Sequence, residues 1–240
     1  INMSELFIVR HGQASFGSDN YDKLSTIGLK QAEMTGLHLV EIGQSFSALY
    51  CGTMDRQQKT AAQIQKAYEN ANKKFPIDCH ILESLNEYDS HSVFEKLVPG
   101  LIQDEPELEA ALSSITTDRR SFQILFEKIM KRWISGKYDQ QSLQTWISFK
   151  NNVVQGLNSI MTREGAKKRI MVCSSGGPIA VAVQLALGIS DKKTMELTWQ
   201  IQNASITRFV YNQKGEFMLS AFNDTAHLKL TKDNNLLTYR

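Results

Sequence analysis

Cysteine is scarce in this chain, long apolar runs are missing, and neither sign of charge prevails. The three cysteines, Cys51, Cys79 and Cys173, are odd in number and lack the close spacing of metal-ligand sets. They argue against a disulfide framework and for a reducing compartment. No signal-like stretch opens the sequence, and Ile1-Asn2 before Met3 reads as a cloning remnant, so a cytoplasmic location is expected. No run reaches the roughly 18 apolar residues that span a bilayer, so no membrane is expected as a partner. Lys and Arg number 27 against 25 Asp and Glu, a formal net charge of +2. The densest basic runs, Lys128-Ile129-Met130-Lys131-Arg132 and Lys167-Lys168-Arg169, fit solvated ends of elements, which excludes a basic block of the kind that binds nucleic acid. H-E-x-x-H, G-x-G-x-x-G and Walker patterns are all absent, so no metal and no cofactor is implied.

What is present is an alternation of short apolar runs with helical periodicity. Leu6-Phe7-Ile8-Val9 predicts a buried strand. Ser25 caps a helix to about Ile42, with Ile27, Leu29, Ala32, Leu39 and Val40 on its apolar face and Gly43 as its stop. Phe46–Cys51 predicts a second strand and Met54–Asn70 a second helix, whose Ala61, Ala62 and Ala67 suit close packing on a sheet. Pro76–Leu82 predicts a third strand, and Glu83–Ser92 a polar loop. The following stretch is largely helical: a short helix from the capping box at Ser92-Val93-Phe94-Glu95, another over Asp104–Ser113, then Ser121–Ser135. Ser142–Arg163 carries a stripe of Trp146, Phe149, Val153, Leu157 and Ile160, read as core. Ile170–Cys173 returns to strand and Pro178–Leu187 to helix, before Gly188. Ser205–Tyr211 and Glu216–Phe222 read as a hairpin through Asn212-Gln213-Lys214-Gly215.

These elements predict an α/β fold: a three-layer α/β/α sandwich around a mixed, mostly parallel sheet. No repeat or low-complexity linker divides the chain. Residues 3–240 are therefore expected to form a single domain, with a helical cap insertion at about 90–140. The oligomeric state is left open.

Arg10-His11-Gly12 comes off the carboxyl end of the first strand, where open α/β sheets bind ligands. Gly12 allows the backbone to turn closely around a small ligand. Arg56 repeats the pattern in the first turn of the second helix, where N–H groups also face an anion. Two guanidinium groups from separate strand ends can converge on one phosphate. Taken singly, Arg56 could equally form a surface ion pair. In Val172-Cys173-Ser174-Ser175-Gly176-Gly177-Pro178-Ile179 a strand hands the chain to a helix through a turn suited to an anion but devoid of charge.

The segments LFIVRHGQASF, DKLSTIGLKQA, LYCGTMDRQQKTA, LNEYD and VCSSGGPIAV, in that order, resemble the histidine phosphatase superfamily, which includes phosphoglycerate mutases and small phosphatases. NASITRF and FNDTAHL also resemble its C-terminal segments. The resemblance implies a phosphomonoester hydrolase acting on a small phosphorylated molecule. It puts the nucleophile at His11, phosphoryl-holding arginines at Arg10 and Arg56, and a proton donor at Glu87, with Glu83 as rival. Phosphoglycerate mutase-type transfer is an alternative within the same chemistry. Gln13, His227 and His91 are candidate accessory residues; for His227 and His91 a local structural role is the alternative. His38 and His80 are read as structural or exposed.

The family usually carries a second histidine in a pattern like S-H-G-G, and this chain has Ser175 there. Ser175 and Gly176 are still expected to help hold phosphate, beside the helix N-terminus. A neutral donor replaces a charged one, so slow turnover, or phospho-ligand binding with little turnover, is the competing expectation.

Overall fold

A computed structural model describes residues 3–15, 22–115 and 117–239, with the backbone alone at Arg119. Residues 1–2, for which a cloning remnant is the expectation, and most of the polar segment after Gly12 (residues 16–21) lie outside the described residues. In chain order the elements begin β1 (Ser4–Arg10), α1 (Thr26–Glu41), β2 (Ala48–Cys51), α2 (Asp55–Asn70) and β3 (Cys79–Ile81). Next come α3 (Ser90–Asp104), α4 (Glu109–Ser113), α5 (Arg119–Ser135) and α6 (Trp146–Glu164). The chain closes with β4 (Arg169–Ser174), α7 (Gly176–Leu187), α8 (Asp191–Thr198), β5 (Ile206–Tyr211), β6 (Phe217–Asp224) and α9 (Ala226–Lys229).

Two compact units result: Tyr88–Asn152, and the remainder of the chain, with one boundary inside α6. The larger unit is a three-layer α/β/α sandwich on a six-stranded sheet ordered β3-β2-β4-β1-β5-β6. β3, β2, β4 and β1 are mutually parallel; β5 runs antiparallel to β1, and β6 antiparallel to β5. Alternation along each strand sends side chains to both faces. Phe7, Val9, Leu49, Cys51, Met171 and Cys173 pack with Leu39 of α1 and with Ala61, Ile64 and Tyr68 of α2. Leu6, Ile8, Tyr50, Ile170 and Val172 point the other way and are buried as well. Burial on both faces explains why these strands read as unbroken apolar runs. Each large side chain so buried contributes about 1.5–3 kcal/mol.

Local signals set the ends of the elements. Ser25 caps α1 by accepting from the Gly28 N–H, and Gly43, Gly188 and Gly215 take positive φ where the chain must turn. β3 is shorter than expected, three residues at the sheet edge. α7 starts at Gly176, two residues before Pro178, and α8 and α9 went unforeseen. Among the described residues no helix is long and apolar enough to cross a membrane.

The smaller unit begins and ends outside the expected 90–140 limits. Asp89, not Ser92, caps its first helix by accepting from Ser92 N–H, so α3 starts inside the stretch read as loop. Asp118 caps α5 through the N–H groups of Arg120 and Ser121. Thr145 accepts from the Ser148 N–H at 3.1 Å, starting α6 later than Ser142. The aromatic stripe is core: Tyr88, Trp133, Trp146 and Phe149 interlock, with ring centroids 4.7–6.2 Å apart.

Candidate functional site

β1 and β4 lie side by side, and their carboxyl ends open onto one place. The ladder continues one residue past β1, where the His11 N–H donates to Ser174 O at 2.9 Å. From the other side the Ala204 N–H donates to the carbonyls of Arg10 (3.0 Å) and His11 (3.2 Å), with Ala204 at φ +56°. Asn203 adds an Nδ2 donor to the His11 carbonyl at 3.2 Å. Gly12 then passes so close to α1 that a Cβ there would lie 2.3 Å from Gly28 O, and one on Gly28 would lie 2.1 Å from Gln13 O. The Gly12 N–H donates to Thr60 Oγ1 of α2 at 3.1 Å. The backbone around His11 is thus fixed by β4, α1, α2 and the segment before β5.

His11 is buried, and its two ring nitrogens face different partners. Nδ1 lies 2.7 Å from the Gly12 carbonyl, which can only accept, so Nδ1 carries the proton. Nε2 accepts from Arg56 Nε–H at 3.1 Å. Burial, then the Arg10 charge, then the Arg56 charge hold the imidazole pKa well below its usual range. His11 is neutral, with its acceptor nitrogen at a guanidinium. Arg56 is itself anchored by Asp22, whose Oδ1 lies 2.6 Å from Nη1 while Oδ2 accepts the Asp55 N–H at 2.7 Å. Asp22 thereby also caps α2, whose own N-cap residue, Met54, supplies no side-chain bond.

Arg10 Nη1 donates to the carbonyls of Ile201, ahead of β5, and Tyr239, near the end of the chain, the latter at 2.9 Å. Glu87 comes to the β4–α7 turn, where both carboxylate oxygens accept the Gly177 N–H at 3.1 Å. A Cβ on Gly176 would lie 3.7 Å from Glu87 Oε2 and 3.9 Å from Arg10 Nε, so the three meet at the first turn of α7. Its glycines let a carboxylate and a guanidinium approach the helix end. Ser175 has no exposed surface, and its hydroxyl accepts from Gln57 Nε2 at 2.8 Å.

Arg10, His11, Arg56, Glu87, Ser175 and Gly176 therefore cluster around the carboxyl ends of β1 and β4. Gln13 lies beside them, its Oε1 accepting from Ser25 Oγ at 2.8 Å. Glu83 is exposed on a short 3-10 turn, away from the Gly177 N–H that Glu87 meets. His227 is buried with Nε2 3.1 Å from Thr35 Oγ1 and its ring stacked on His38 at 5.3 Å, both on α1. His91 belongs to the smaller unit, 90% exposed and 4.0 Å from Glu95. Asp22, Gln57, Thr60 and Asn203 were not anticipated. Asp22 and Gln57 do fall inside DKLSTIGLKQA and LYCGTMDRQQKTA, but nothing in a linear motif says which polar side chain grips which neighbour.

A neutral imidazole with an acceptor nitrogen can attack an electron-poor centre such as phosphorus. Guanidinium groups beside it can hold the oxygens of that centre. Among the described residues no group of three or more His, Cys, Asp or Glu side chains could hold a metal ion.

Comparison with known proteins bears on the family and the fold. The family described as the histidine phosphatase superfamily (branch 1) matches residues 6–121 and 113–225. A phosphoglycerate mutase of Bacillus anthracis superposes with a TM-score of 0.65 at 17% identity, covering 97% of this chain and 98% of that one. A phosphoserine phosphatase of Entamoeba histolytica, solved with phosphoserine, gives a TM-score of 0.63 at 20% identity over 94% and 99% of the two chains. The mitochondrial serine/threonine-protein phosphatase PGAM5 of Xenopus laevis is 31% identical over 70 residues, 28% of this chain and 26% of that protein. This chain thus spans about a quarter of that relative's length.

Proposed function

The chain belongs to the histidine phosphatase superfamily, and on that premise we propose that it is a phosphomonoester hydrolase acting through a phosphohistidine at His11. His11 Nε2 attacks phosphorus, and the P–O bond to the leaving group breaks. Glu87, protonated, gives its proton to the departing oxygen. As a carboxylate it then takes a proton from water, whose oxygen displaces His11 from phosphorus and yields inorganic phosphate. Arg10 and Arg56 balance charge on the equatorial oxygens throughout.

The observation that carries this reading is the 3.1 Å approach of Arg56 Nε to His11 Nε2, joining two residues from different strand–helix junctions. The contact of Glu87 with the Gly177 N–H supports it over Glu83 as the proton donor. The phosphoserine bound by the Entamoeba relative favours a small phosphomonoester as substrate.

Brief mixing with ³²P-labelled phosphomonoester and acid-free quenching should trap an acid-labile phosphoprotein, absent from His11→Ala. A phosphoprotein that persists in His11→Ala removes His11 from the nucleophile role. A second reading, phosphate binding with little turnover, is favoured by the uncharged Ser175 at the turn. Stoichiometric phosphate binding with neither phosphoprotein nor product would select it.

A further inference from the structure

Gln57 follows Arg56 in the first turn of α2 and has no exposed surface. Successive helical side chains diverge by about 100°, so Arg56 and Gln57 grip different neighbours from one turn. Gln57 Nε2 donates to Ser175 Oγ at 2.8 Å and to the Leu85 carbonyl at 2.9 Å. Leu85 O also accepts from Ser174 Oγ at 2.7 Å. A carbonyl only accepts, so the bond to Leu85 fixes which end of the amide is nitrogen. The other end, Gln57 Oε1, is buried without a hydrogen-bond partner. It lies 1.9 Å from where a Cβ on Gly52 would sit, so Gly52 makes room for the amide. A methionine of similar length would fill this space without stranding a carbonyl, so the amide is explained by its two donors.

Leu85 stands two residues before Glu87, and Ser175 two residues before Gly177, the residue whose N–H meets the Glu87 carboxylate. We propose that Gln57 is a positioning residue for Glu87, its buried amide tying the turn that carries Arg56 to the β4–α7 turn and to the segment that delivers the carboxylate. Arg56 keeps its own anchor on Asp22 and Arg10 its own on Tyr239, so phosphate holding does not run through Gln57. Loss of the amide therefore acts on proton transfer to the leaving group.

The proposal rests on the reading of His11 as nucleophile and Glu87 as proton donor, and the test separates the two. Glycerol 2-phosphate releases an alkoxide that needs a proton, whereas p-nitrophenyl phosphate releases a stable phenolate that does not. Glu87→Gln should lose on the order of 10²-fold or more in kcat on the first and only a few-fold on the second. Gln57→Met should show the same asymmetry, about 10- to 100-fold against about 3-fold or less, with KM nearly unchanged on both. Equal losses on the two esters, or no loss on either, overturn the proposal and leave Gln57 as packing. If Gln57→Met does not fold by circular dichroism, Ser174→Ala, which removes the other bond to Leu85 O, carries the same comparison. Wild-type protein inactive on both esters, or Glu87→Gln without the asymmetry, overturns the assignment of Glu87 and the proposal with it.

Discussion

Arg56 Nε donates to His11 Nε2 across 3.1 Å, so a charged guanidinium rests on the nitrogen that would form the bond to phosphorus. That contact exists only while Nε2 is unprotonated. The opposite nitrogen is committed to the Gly12 carbonyl at 2.7 Å, which leaves one tautomer consistent with both bonds. Long-range ¹H–¹⁵N NMR at pH 7 should find Nδ1 protonated and Nε2 bare. The reverse pattern would show that the nucleophile is not preset by this pair.

Removing the guanidinium should cost much of the oxyanion stabilisation. Arg56→Ala is expected to lower kcat/KM on p-nitrophenyl phosphate by on the order of 10²–10³. Arg56→Lys should recover little, since an ammonium cannot reproduce both the Nε contact with His11 and the Nη1 contact with Asp22. Recovery to near wild-type rates with lysine would mean that charge alone suffices.

Two buried histidines set a pH dependence of stability. Burial, and then His38, push the His227 pKa down from 6.5 to about 4. His11 is lowered in the same direction by burial, Arg10 and Arg56. A depressed histidine binds fewer protons folded than unfolded, so its stability contribution is complete above the unfolded pKa and declines as pH falls toward the folded one. Each should contribute up to about 1.4 kcal/mol per pH unit within its window. Urea midpoints measured between pH 7 and 4.5 should fall steadily, and His227→Gln should flatten the curve. A flat wild-type profile across that range counts against both shifts.

Gly12→Ala should be severely destabilising, because the new Cβ would meet backbone, Gly28 O at 2.3 Å, with no flexible side chain to yield. A loss of about 3 kcal/mol or more is expected, at the upper end for overpacking. Thermal denaturation checks it; an unchanged Tm would mean that β1 and α1 separate easily.

Ser175→His by itself should not restore a cation at the turn. Ser175 is fully buried and Gln57 Nε2 lies 2.8 Å from its hydroxyl, so an imidazole there collides with the amide. Truncating the neighbour clears the space, though Gln57 is also expected to position Glu87. Gln57→Ala/Ser175→His should therefore exceed either single variant in kcat on p-nitrophenyl phosphate, a non-additive gain. Higher activity from Ser175→His alone would show that the turn has more room than the folded side chains allow.

The sequence alone determined most of the buried strands and the helices that follow them, because burial on both faces demands unbroken apolar runs and some caps, such as Ser25 on α1, are local. It also marked Arg10, His11, Arg56 and the glycine turn, since residues at strand ends carry their positions in the order of the chain, and the family resemblance singled out Glu87 ahead of Glu83. Tertiary structure decided the rest. Asp22 reaches Arg56 from 34 positions away and Gln57 reaches Ser175 from 118, and such partnerships depend on register and close packing that no linear pattern encodes. The place of the Glu87 carboxylate at the Gly177 N–H was of the same kind: Glu83 also follows β3, and only the fold decides which carboxylate meets that N–H. The burial of Ser175 likewise became visible only when α2 packed against the β4–α7 turn, for a hydroxyl is small enough to be read either as a ligand donor or as filler until its neighbours are known.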